Sequence, residues 1–154
     1  MNVAVDVRIA SASQLLDVGG LRWDSLLENG GSPDESRDVF SERFAEWGGA
    51  HTSTHTCFAA VASDGIVIGM AWLAITQRVP SARAFDRAFG DVQCVYVVPE
   101  LRNSGIGARL VRAVLERAAD LGLEPVTVHS SAGAVPFYRR AGFASEDVLL
   151  HVRA

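Results

Sequence analysis

Hydrophobic and polar positions alternate over residues 3–9, where Val3, Val5, Val7 and Ile9 interleave with Ala4, Asp6 and Arg8. A period of two predicts a half-buried strand. Ser11-Ala12-Ser13-Gln14 follows as a capping box opening a helix that carries Leu15, Leu16 and Val18. Gly19-Gly20 is expected to interrupt that helix, leaving residues 21–27 as a second short one before the break at Asn29-Gly30-Gly31. Ser32-Pro33-Asp34-Glu35 predicts the next helix start, with Ser32 as cap, Pro33 in first position and Glu35 closing the box. Phe40, Phe44 and Trp47 share a face of it, and Gly48-Gly49 should end it. Residues 56–63 and 66–76, joined at Asp64-Gly65, predict a β-hairpin. A long connection over residues 77–90 then leads to the stretch that organises the chain.

That stretch is residues 91–121. Val92, Val95, Tyr96, Val97 and Val98 favour a buried strand, and Pro99, which cannot donate to a ladder, should stop it. From Ile106 onward Leu110, Val114, Leu115, Ala118 and Leu121 fall on one helical face, with Arg109, Arg112, Glu116 and Asp120 opposite. Gly122 and Pro125 supply the stop. Between strand and helix, Arg102, Gly105 and Gly107 spell R-x-x-G-x-G. The glycines let the backbone approach a ligand closely. The first-turn N–H groups lack intrahelical partners and sit at the positive end of the helix dipole, an anion site suited to phosphate. Arg102 can add a charge-assisted contact. There is no G-x-x-x-x-G-K-[ST] sequence, and the first glycine of a dinucleotide G-x-G-x-x-G is missing.

A second strand, residues 126–129, and a short helix, residues 134–141, follow; Pro136 is tolerable only in that helix's first turn. Residues 144–152 are expected to close the sheet as a last strand. Two motifs then carry a resemblance. Val97, Pro99, Arg102, Gly105 and Gly107 form V-x-P-x-x-R-x-x-G-x-G, and Ala134, Phe137, Tyr138, Gly142 and Phe143 form A-x-x-F-Y-x-x-x-G-F. In this order and separation they resemble the GNAT (GCN5-related N-acetyltransferase) family. The resemblance implies an α/β fold with a mixed sheet, ordered β-α-α-β-β-β-α-β-α-β, in one domain over residues 1–154. The strands at 92–98 and 126–129 would run parallel and splay around coenzyme A.

The resemblance also implies acetyl-CoA as acyl donor and a primary amine as acceptor, on a small molecule, peptide or protein. The diphosphate would sit on the amides of Arg102, Asn103, Ser104, Gly105, Ile106, Gly107 and Ala108. The pantetheine arm would pair with Val95, Tyr96, Val97 and Val98 as an added strand would, with the N–H near Val97 aimed at the thioester carbonyl. Tyr138 matches the family's tyrosine that protonates the departing thiolate. Ser131 stands where relatives often carry an asparagine that contacts the cofactor. The base is open: Gln93 and Cys94 occupy positions where an acid is often found, leaving Asp91, His129 or a water chain.

Length and composition change the picture little. A chain of 154 residues can bury one proper core. The net charge of −4 and the lack of a basic block argue against nucleic-acid binding. All fourteen basic residues are arginine, which excludes Schiff-base chemistry on a lysine. No apolar run approaches the ~20 residues that span a bilayer, and the first residues do not read as a secretion signal, so a cytoplasmic location without membrane association is expected. A homodimer is expected from the family. Cys57 and Cys94 read as buried thiols. His51 and His55, four apart, invite a zinc site, but their Thr-rich setting predicts a loop rather than a helix, and no metal is expected. Two rivals from other classes are a non-catalytic acyl-CoA-binding module and a protein-interaction scaffold.

Overall fold

The computed structural model describes residues 4–153. Five strands form one mixed sheet in the order β1-β2-β3-β4-β5. They are β1 (Val5–Ile9), β2 (His55–Ala62), β3 (Val67–Arg78), β4 (Arg87–Val97) and β5 (Val126–Val128). The first four pair antiparallel, and β4 pairs parallel with β5. The crossover between these parallel strands is helix α3 (Ile106–Asp120), while α1 (Ala12–Glu28) and α2 (Arg37–Ala50) precede β2 and α4 (Val135–Arg140) follows β5. Among the described residues no helix is long and apolar enough to cross a membrane.

Period-two alternation along the strands divides the core into two. Phe58, Ala60, Ala71, Leu73 and Val92 meet Ile106, Leu110, Val114 and Ala118 of α3 on one face. Cys57, Ala59, Met70 and Trp72 meet Leu15, Val18 and Leu21 of α1 on the other. Of the stripe read along 106–121, α3 buries Ile106, Leu110, Val114 and Ala118; it also buries Val111, while Leu115 is half-buried and Leu121 exposed.

Several boundaries differ from expectation for identifiable reasons. Gly19-Gly20 does not interrupt α1, which runs unbroken. A Cβ on Gly19 would lie 3.0 Å from Phe44 Cβ and Ser41 Cα, and one on Gly20 2.5 Å from the Arg37 guanidinium. These glycines let α2 cross close to α1. Ser32 does not cap α2; Ser36 does, its Oγ accepting from the Val39 amide at 3.3 Å. Glu35, instead of closing a box, accepts Arg43 at 2.8 and 2.9 Å, and its carbonyl takes the Trp23 indole N–H at 3.0 Å. Gly48-Gly49 lies inside α2, where Gly48 faces Leu15 and Trp72.

The long connection shrinks to residues 79–86, because β3 and β4 pair as far as Arg78 with Arg87. Among the described residues no strand forms beyond β5: the strand expected over 144–152 is absent, and Val148, Leu149, Leu150 and Val152 are 76–89% exposed. β5 holds only three ladder positions before the chain turns away, so its outer edge offers too little for a strand to pair with. Val3 lies outside the described residues.

Leu110 is fully buried between α3 and the sheet. Leu110→Ala should cost about 2–5 kcal/mol in urea unfolding. Val79→Ala, at a position 83% exposed, should stay within about 0.5 kcal/mol.

Candidate functional site

The turn from β4 into α3 leaves its amides free. Gly105 is the N-cap of α3, with φ 87° and ψ 0°, and no side chain caps the helix. Asn103 two residues earlier is also left-handed, at φ 62°. The first intrahelical bond is Arg109 N–H to Gly105 C=O at 3.1 Å, so the N–H groups of Ile106, Gly107 and Ala108 have no intrahelical acceptor. A Cβ on Gly107 would make ordinary contact with the Phe137 ring at 3.4 Å, so a methyl fits and a larger side chain would narrow this wall. Ser104 donates its Oγ–H to the Leu101 carbonyl, which braces the turn.

The same turn stands beside an unpaired strand edge. β5 pairs with β4 only at Gly90, Asp91 and Val92. Cys94 then sits at φ 52°, within a register shift against β3, and β4 bends away from β5. Val98 N–H bonds the Ile68 carbonyl of β3 at 2.9 Å. Bonding direction alternates along a strand, so the main-chain groups of Val95 and Val97 face the gap. A cavity of about 500 Å³ fills it, lined on one side by Val95, Tyr96 and Val97 and on the other by Arg102, Asn103, Gly105, Ile106, Gly107 and Ala108. Phe137 and Arg140 of α4 complete the wall, together with Leu101.

The Arg102 guanidinium is engaged elsewhere than the turn. Its Nε donates to the Val97 carbonyl at 2.9 Å, its two terminal nitrogens donate to the Glu28 carboxylate, and it lies 5.2 Å from the centre of the Tyr96 ring. The Arg102 hydrogen bond holds the Glu28 carboxyl below its usual range, while burial pushes the Tyr96 phenol up. The charge expected from Arg102 is thus shared with Glu28, and the main-chain amides are the free donors at the turn.

Tyr138 packs edge-on against Phe137 at 5.0 Å and Phe143 at 5.7 Å. Burial, with the nearby Cys94 adding to it, raises its pKa above the ordinary phenol value. The side chain therefore keeps its proton at neutral pH. Val92, Val126 and Val128 pack into the α3-side core, so Asp91, Gln93, Thr127 and His129 occupy the opposite face of the sheet, beside the point where the strands part. There Asp91 accepts the Thr127 hydroxyl at 2.7 Å and the Gln93 amide at 2.9 Å. His129 is exposed just past β5.

The structure brings the turn and the β4 edge together in one cavity. Ser104, Ser131, Asp91, His129 and Tyr138 stand outside its wall, and Val98 packs into both cores. Ser131 is exposed at the start of a short turn, its carbonyl accepting from Ala134 N–H at 3.1 Å. Glu28 escaped sequence reasoning because 74 residues separate it from Arg102 and no local pattern marks the pair. Arg140 had a signal, its place in the turn after Phe137. His51 stacks on Trp47 at 4.5 Å and His55 meets the same ring edge-on at 4.9 Å. No group of three metal-ligating side chains occurs among the described residues.

Comparison with known proteins fits this geometry. The acetyltransferase (GNAT) family model matches residues 20–143. A mycothiol acetyltransferase from Pseudarthrobacter chlorophenolicus is 37% identical over 92 residues, covering 58% of this chain and 27% of that protein. Glucosamine 6-phosphate N-acetyltransferase 1 from Oryza sativa subsp. japonica is 29% identical over 126 residues, covering 76% of this chain and 69% of that one. The chain spans about half or less of the length of three of the curated relatives it matches. A predicted acetyltransferase with acetyl-CoA from Clostridium acetobutylicum superposes with a TM-score of 0.79 at 16% identity, over 97% of this chain and 96% of that one, which shows a shared fold. With the family match running from α1 through the turn before α3 to Phe143, the chain belongs to the GNAT family, acetyltransferases whose acyl donor is acetyl-CoA.

Proposed function

We propose that this chain transfers the acetyl group of acetyl-CoA to a primary amine by direct attack. The observation that carries this is the meeting of two unsatisfied backbone features in one cavity: the uncapped start of α3 and the open edge of β4. The first suits a diphosphate, and the second an extended amide-bearing arm. The names of the mycothiol and glucosamine 6-phosphate enzymes favour a small-molecule acceptor.

In this mechanism the amine lone pair attacks the thioester carbonyl carbon from the face that carries Asp91, Gln93, Thr127 and His129. The Val97 N–H stabilises the developing oxyanion. The C–S bond breaks as the tetrahedral intermediate collapses, and the Tyr138 phenol gives its proton to the departing thiolate, to be reprotonated by solvent. The proton lost by the amine goes to Asp91, to His129 or to water on the acceptor face.

The direct test is thiol release over a panel of amines, with acetyl-CoA binding measured by calorimetry. Binding without turnover of any amine would leave a cofactor-binding module; no binding would end the proposal. Tyr138→Phe should lower kcat by roughly 10²-fold while leaving acetyl-CoA affinity unchanged. Because the raised pKa keeps the phenol protonated, wild-type activity should fall on the basic side only above the ordinary phenol range, and the variant should lack that limb. Gly107→Val, which places a branched side chain against Phe137, should weaken acetyl-CoA binding by about tenfold or more, a loss of roughly 1.4 kcal/mol. Asp91→Asn and His129→Gln identify the base by which of them abolishes the acidic limb of the kcat/KM profile.

A further inference from the structure

We propose that the acceptor amine carries a carboxylate or phosphate group, and that Arg78 and Arg87 hold this anion at the end of the hairpin formed by β3 and β4. The inference rests on the acetyl transfer proposed above and deepens it by naming a class of acceptor. Arg78 and Arg87 lie directly opposite one another as the last pair of the β3–β4 ladder. Like charges in that position repel and weaken a sheet, and an anion between them turns the repulsion into attraction. Arg78 is exposed and Arg87 half-buried, and among the described residues neither forms an ion pair, not even with Asp86 next to Arg87. Arg87 Nη1 donates to the Val79 carbonyl at 3.0 Å, which holds its guanidinium at that end of the hairpin.

Ile75 and Ala88 pack into the α3-side core, so strand alternation puts Ala74, Thr76 and Arg78 of β3, with Asp91, Phe89 and Arg87 of β4, on the opposite face. This is the face from which the amine attacks in the mechanism above, with Asp91 bonded to Thr127 beside the parting strands. Trp72 on the same face is covered by α1 and α2, whereas Thr76 is exposed and Phe89 opposite it half-buried. The cross-strand pairs Ala74–Asp91, Thr76–Phe89 and Arg78–Arg87 thus form an accessible track with a carboxylate at one end and two guanidinium groups at the other. Asp91 draws the ammonium end of an elongated molecule, and the arginines draw its anionic end. Arg87 stands four residues from Asp91. That is about 13 Å along the strand, which sets the span between the two charges of the acceptor. Guanidinium groups offer paired donors that match carboxylate and phosphate oxygens.

Glycine oligomers serve as rulers, since each residue lengthens the gap between amine and carboxylate by about 3.5 Å. Thiol release from acetyl-CoA is measured on the full chain with oligomers of increasing length, each as free acid and as C-terminal amide. The acid should be preferred to its amide, through KM, by about tenfold near tetraglycine, and not for glycine or diglycine. Triglycyl-phosphoserine amide set against triglycyl-serine amide tells phosphate from carboxylate, by which anion gains the larger preference. Arg78→Gln and Arg87→Gln should each remove most of that preference. Acetyl-CoA and the neutral amides should keep their KM in both variants, which also reports that they fold. Equal use of charged and neutral acceptors for both anions, a preference that ignores length, or one that survives both substitutions would overturn the anion site while leaving acetyl transfer intact. So would turnover of other amines and of none of these peptides. If no amine is acetylated, the transfer reading fails and this inference with it.

Discussion

Backbone hydrogen bonding left incomplete at one place is the constraint on which the rest of this structure depends. A sheet and a helix normally satisfy their main-chain groups internally, and unpaired groups away from water are costly. Here β4 loses β5 after Val92, and α3 begins without a side-chain cap a few residues later. The two sets of open groups face one another across the same cavity. The proposed donor, with its diphosphate and amide-bearing arm, would complete both at once.

The surrounding chain holds those groups in place. α3 is anchored by Ile106, Leu110 and Val114 on the sheet, so its N-terminus cannot drift from the strand edge. Arg102 ties the turn to the end of α1 through Glu28 and to the strand through the Val97 carbonyl. That arrangement joins the C-terminal end of α1 to the turn that precedes α3. It also leaves the main-chain N–H groups of Ile106, Gly107 and Ala108 as the free donors at the turn. A site of this kind fixes glycines and strand geometry more strictly than it fixes polar side chains.

Much of this was legible in the sequence because it is local. The strand–turn–helix at 91–121 follows from Val92 to Val98, Pro99, two glycines and one apolar stripe, all within reach of simple periodicity. The second motif located α4 through Pro136 and the aromatic pair Phe137 and Tyr138. What stayed hidden depends on tertiary contact. Gly19-Gly20 has the composition of a break, yet it is held in helix by the approach of Phe44, Ser41 and Arg37 from α2. Ser32 and Ser36 both precede a helical pattern, and only packing of Trp23 and Arg43 onto Glu35 decides between them. The apolar alternation over 144–152 asks for a strand, but a strand needs a neighbouring edge, which three-residue β5 does not provide. The Glu28–Arg102 pair is separated in sequence by α2 and three strands, so no window of sequence contains it.

The central claim is that the amides opening α3 and those on the free edge of β4 together receive coenzyme A. Backbone amide NMR during titration with acetyl-CoA examines those groups directly. The account predicts large shifts for the N–H signals of Ile106, Gly107, Ala108 and Val97, saturating together with one affinity. Saturable binding that left these four signals in place while moving others would contradict it.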